Sequence, residues 1–74
     1  MSEHHLDAKG LNCPLPILRA KKTLTSMESG DILHIEATDP GSVRDFEAFC
    51  RQAGHQLEKS SHINGEFIFD IKKG

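Results

Sequence analysis

A two-layer α+β sandwich, in the order β-α-β-α-β-β, is the fold the sequence predicts: a four-stranded mixed sheet with two helices on one face. Three observations predict it. Apolar and polar residues alternate at strand period over 4–9, 32–38 and 66–72. After each of the first two runs the apolar spacing turns helical. Ahead of the third run stands Asn64-Gly65, the strongest short hairpin signal. Seventy-four residues make a single domain, 1–74, near the lower limit at which one core holds a fold unaided.

The elements follow in order. Residues 4–9 set Leu6 and Ala8 against Asp7 and Lys9, a short strand. Gly10 to Asn12 turn the chain into a helix from about Pro14 to Thr25. Two prolines are tolerable in a first turn, because N–H groups there lack intrahelical acceptors. Pro14 also steers Cys13 away from helical angles, as a capping position requires. Ile17, Ala20, Leu24 and Met27 line one face of this helix, with Arg19, Lys21 and Lys22 on or near the other. Over 32–38, Leu33, Ile35 and Ala37 alternate with His34 and Glu36. Asp39-Pro40-Gly41 is turn chemistry, and Ser42 with Asp45 fits a capping box with Asp in place of Glu. Val43, Phe46, Cys50 and Ala53 follow at helical spacing, and Gly54 stops the helix. The strand over 55–63 is weak, anchored by Leu57. Phe67, Phe69 and Ile71 share one face of the last strand. The open sheet face is expected to carry His34, Glu36, Asp70 and Lys72, with Ile32 and Ile68.

Composition excludes several classes. Net charge is −2 without a block of like charge, and Trp and Tyr are absent, which argues against stable nucleic-acid binding. No apolar run reaches membrane-spanning length, and the N-terminus lacks a basic region followed by an apolar one, so a cytoplasmic protein with no membrane partner is expected. In a reducing compartment, two distant cysteines are chemical or buried rather than a structural disulfide. The five histidines are scattered without zinc-ligand spacing, and there is no glycine-rich phosphate loop or dinucleotide fingerprint. Neither a metal nor a cofactor is expected.

Cys13 carries the chemistry. In Gly10-Leu11-Asn12-Cys13-Pro14-Leu15-Pro16 a thiol stands at a helix start, where unpaired N–H groups favour the thiolate. Pro14 and Pro16 have no N–H to give, leaving those of Leu15 and Ile17, so a modest lowering of the thiol pKa is expected. A thiol with a pKa near ambient pH is the best attacking nucleophile. No second cysteine lies within a turn to resolve a bound sulfur, which points to a carrier of reactive sulfur rather than a disulfide oxidoreductase. Cys50, on the apolar face of the second helix, reads as a buried inert thiol. Asp39 and Asp45 read as turn and cap residues.

The segment Leu6-Asp7-Ala8-Lys9-Gly10-Leu11-Asn12-Cys13-Pro14-Leu15-Pro16 resembles the start of the TusA/SirA-like family of sulfur carriers, whose hallmark is Cys-Pro-x-Pro. Lys21-Lys22-Thr23, Thr38-Asp39-Pro40, Arg44-Asp45 and Phe49-Cys50 look like further family features. The resemblance implies the β-α-β-α-β-β fold, and a persulfide on Cys13 loaded by a cysteine desulfurase or rhodanese-type protein and passed to an acceptor protein. The chain would then act as a protein co-substrate of sulfurtransferases more than as an enzyme with its own turnover. The resemblance also implies that Asp39-Pro40 lies near Cys13 and helps dock the donor. Arg19, Lys21 and Lys22 either hold a partner's acidic surface or form a solvated helix face. Family branches differ in destination, either the relay that 2-thiolates the tRNA wobble uridine or dissimilatory sulfur oxidation. Leu15, where many tRNA-pathway members are acidic, is closer to the second. The alternative class is a regulatory or RNA-contacting small α/β module without sulfur chemistry.

Overall fold

A computed structural model describes residues 2–74. Its elements are β1 (Glu3–Ala8), α1 (Leu15–Thr25), β2 (Ile32–Ala37), α2 (Ser42–Ala53), β3 (Gln56–Ile63) and β4 (Glu66–Lys72). The sheet order is β1-β2-β4-β3, with β1 parallel to β2 and the other pairs antiparallel. That is the mixed four-stranded sheet expected.

Alternation decides which residues enter the core. Ala8, Leu33, Ile35, Ala37, Phe69 and Ile71 point from the sheet towards the helices and are fully buried. The register stacks them, with Ala8 opposite Ala37 and Ile35 opposite Phe69. Ala20 and Leu24 of α1, Met27 beyond it, and Phe46 and Cys50 of α2 close the layer from above. Phe46 and Phe69 join the two layers, their ring centroids 4.8 Å apart. On the opposite face His34 Nδ1 and Asp70 Oδ1 lie 2.7 Å apart across the β2–β4 pair. Ile32 and Ile68 are half-buried there.

The hairpin turn has left-handed angles at both central residues, φ 51° at Asn64 and 78° at Gly65, as a type I′ connection requires. Gly54, at φ 80°, ends α2, and the His55 N–H bonds the Cys50 carbonyl at 2.9 Å. Strand β3 departs from simple alternation because a bulge falls between Leu57 and Lys59.

Three local expectations need correction. Strand β1 ends at Ala8, because the Leu11 N–H bonds the Ala8 carbonyl and the chain turns through Lys9-Gly10. Thr38 then receives the Gly10 N–H on its Oγ1 at 2.9 Å, tying the ends of β1 and β2 together. Helix α1 begins one residue later than expected, so Pro14 rather than Cys13 is the cap. Finally, Ser42 and Asp45 form no capping box. The Ser42 N–H closes the preceding turn on the Asp39 carbonyl, Gly41 occupies the cap, and Ser42 Oγ is buried without a hydrogen-bond partner.

Candidate functional site around Cys13

The loop after β1 delivers Cys13 to the surface beside the first turn of α1. The Leu15 N–H donates to the Asn12 carbonyl at 2.8 Å, closing a turn that contains the cis Cys13–Pro14 peptide. Pro16 is buried beneath the helix start. Cys13 itself stays exposed with a free thiol. The two prolines thus have separate positions, Pro14 beside the thiol and Pro16 in the core.

Two clefts meet at this thiol. One runs towards the start of α2, past Pro40, Gly41, Val43, Arg44, Asp45 and Glu47. The other lies between the helices, past Pro14, Ile17, Asp45, Ala48, Phe49 and Gln52. Cys13 and Asp45 line both. Asp39 folds back on its own turn, where the Gly41 N–H donates to Oδ2 at 3.1 Å, and its charge still reaches the thiol.

The electrostatics reverse the expected direction. Cys13 is pushed above its ordinary pKa, first by the neighbouring Asp45 side chain, then by partial desolvation, then by the charges of Asp45 and Asp39. The expected lowering fails because the Leu15 N–H, one of the two donors it relied on, is consumed by the Asn12 carbonyl, while the carboxylates of Asp45 and Asp39 act in the opposite direction. Near neutral pH such a thiol is largely protonated.

The remaining candidates separate in space. Arg19, Lys21 and Lys22 are exposed on α1, and none lines either cleft. Lys21 borders a different depression with Leu24, Phe49 and Lys73. The cation that shares a cleft with Cys13 is Arg44, which the sequence offered only within the Arg44-Asp45 family feature. Asp45 is the carboxylate beside the thiol that its cap-like spacing concealed. Its place beside Phe46, on the flank of the buried stripe of α2, was the available signal. Cys50 is 3 % exposed, free, and pushed up to about 11 by burial. Among the described residues no three His, Cys, Asp or Glu side chains converge as metal ligands do. Nor is any helix long and apolar enough to cross a membrane.

Residues 4–73 match the family model for sulfurtransferase TusA. The chain belongs to the TusA family. A sulfur carrier protein TusA from Allochromatium vinosum is 62% identical over 71 residues, covering 96% of this chain and 93% of that protein. Among solved structures, a SirA-like protein from Desulfitobacterium hafniense superposes with a TM-score of 0.81 at 29% identity, over 100% of this chain and 99% of that one. The TusA-family fold therefore extends along the whole chain, and the Cys-Pro-x-Pro segment spans the end of the loop after β1 and the first two residues of α1.

Proposed function

We propose that this TusA-family chain carries sulfur as a persulfide on Cys13, taking it from a donor protein and giving it to an acceptor protein. The observation that carries the reading is the placement of Cys13: an exposed thiol at the junction of two open clefts, with the second cysteine buried out of reach. In loading, the Cys13 thiolate attacks the outer sulfur of a donor persulfide. The new S–S bond forms at Cys13 as the donor's own S–S bond breaks, and the donor leaves as a thiolate. In delivery, an acceptor thiolate attacks that same outer sulfur and Cys13 is the leaving group. Each step conserves one S–S bond, so neither an oxidant nor a reductant is consumed.

Open clefts suit partners that approach in turn, and the surface beside the thiol suits a protein partner. Leu15 and Leu18 are 44% and 53% exposed at the start of the helix that follows Cys13, apolar surface of the kind a transient partner covers. Pro40 lines the cleft towards α2 and Asp39 precedes it in the same turn, and this acidic turn is where the donor docks. The donor is a cysteine desulfurase or a rhodanese-type protein, and the two are separated by experiment. The chain is incubated with a desulfurase plus cysteine, and separately with a rhodanese plus thiosulfate, and its intact mass is followed. One added sulfur on the wild type and none on Cys13→Ser is the expected result, with slower loading of Asp39→Arg by the true donor. Failure of both donors to load a freely alkylated Cys13 overturns the proposal.

A further inference from the structure

The two clefts that meet at Cys13 share one ionisable side chain besides the thiol, and that is Asp45. It rises from the first turn of α2, its own N–H held by the Gly41 carbonyl at 3.0 Å, so the carboxylate is anchored on a helix. No side-chain capping bond occupies it. The other charged groups about the thiol are Asp39 in the turn before α2, which is engaged by the Gly41 N–H, and Arg44 and Glu47 on α2. The α1 side contributes Pro14 and Ile17, and no charge.

We propose that Asp45 is a positioning residue for sulfur delivery: its carboxylate, set on α2 opposite Cys13, holds a proton on the outer sulfur of the loaded carrier and so keeps that sulfur open to attack. The inference rests on the persulfide reading of Cys13. A persulfide is a stronger acid than a thiol, so Cys13–S–SH tends to ionise near neutral pH. The resulting Cys13–S–S⁻ repels an incoming thiolate. A fixed negative charge beside it disfavours that second charge and offers an acceptor for the S–H. With the neutral form in place, the acceptor thiolate attacks the outer sulfur and a new S–S bond forms. The bond from that sulfur to Cys13 Sγ breaks, and its electron pair stays on Sγ. The acceptor departs as –S–SH, and the Cys13 thiolate takes a proton from water and is again a thiol beside Asp45. The same carboxylate slows the unloaded thiol as a nucleophile and makes Cys13 a slower leaving group, a loss in delivery that is smaller than the gain from keeping the outer sulfur neutral. Asp45 thus favours delivery over pick-up.

The test uses the full chain as wild type, Asp45→Asn and Asp45→Glu, with Cys13 loaded chemically by inorganic polysulfide. Discharge to an aryl thiol that stays ionised throughout is followed by intact mass across a pH series. Unloaded samples are alkylated with iodoacetamide in parallel. Asp45→Asn is expected to discharge about threefold or more slowly at neutral pH, with its profile displaced to lower pH, while its unloaded thiol alkylates faster by a similar factor. Asp45→Glu, which keeps the charge, falls between. A purely structural role would move both rates together. Discharge that is unchanged or faster in Asp45→Asn, or two rates that move in the same direction, overturns the inference. The carrier reading is tested separately, since it fails only if protein donors do not load Cys13.

Discussion

With Cys13 replaced by serine, the chain keeps one thiol, Cys50, and that thiol should be almost inert while the fold is intact. Two barriers set the magnitude. Burial raises Cys50 from an ordinary 9.0 to about 11. Near neutral pH the thiolate, the reactive species, is then about 100-fold scarcer than for a free cysteine. The alternative route is reaction from an open form. A domain of this length is stable by roughly 4–11 kcal/mol, so the open population is about 10⁻³ or less. Cys13 is itself slowed by its carboxylate neighbours, which narrows the margin, but its sulfur is exposed and needs no opening. Together these place the two thiols about 100-fold or more apart in rate. The assay is iodoacetamide alkylation followed by intact mass, with Cys13→Ser reporting Cys50 and Cys50→Ala reporting Cys13. In concentrated urea the two rates should converge. Native rates within about tenfold of each other would refute the reasoning. They would mean that the inner face of α2 opens readily, so that Cys50 could reach a persulfide on Cys13 and resolve it.

Two further outcomes follow from the core and from its one buried carboxylate. Phe46, fully buried against Phe69, should cost about 3–5 kcal/mol when cut to alanine. At about 1 kcal/mol per M for so small a chain, the urea midpoint then falls by roughly 3 M or more, and a fall under about 1 M would contradict the packing described. Asp31 accepts the N–H groups of Ser2 at 2.9 Å and Glu28 at 3.1 Å, with His4 beside it, and these hold its carboxyl below the ordinary 3.8. A folded value below the unfolded one gives stability that is present above the ordinary 3.8 and lost as pH falls from there through the depressed value. Asp31→Asn should therefore be less stable at neutral pH and flatter than the wild type in acid, as read by urea melts across the acid range. Parallel curves would remove Asp31 from the acid transition.

The parts of the fold written in local pattern were legible. Phe67, Phe69 and Ile71 alternate cleanly, Asn64-Gly65 has the left-handed angles its identity implies, and Gly54 stops α2 where a residue with positive φ is needed. The boundaries of β1 and α1 shifted by a residue because backbone bonds from Leu11 and Leu15 decide them, and neither bond has a sequence signature. Strand β3 was the faintest element because its bulge breaks the alternation. At the site, the thiol and its prolines could be read directly, whereas its electrostatics could not. Asp45 lies far from Cys13 along the chain, and only the packing of α1 against α2 brings the two together. Its cap-like spacing from Ser42 gave a sufficient local reason for an acid at that position. Arg19, Lys21 and Lys22 illustrate the converse, being near Cys13 in sequence and outside both of its clefts.

The most direct test of Cys13 as a transferable sulfur site is a single round of loading and discharge followed by intact mass. The chain is charged by its protein donor, freed of that donor, and mixed with an acceptor thiol in excess. The account predicts one added sulfur on the wild type and on Cys50→Ala, complete return to the starting mass as the acceptor gains that sulfur, and no change at any stage for Cys13→Ser. Added sulfur that persists on Cys13→Ser, or that stays on the wild type in the presence of the acceptor, would contradict it.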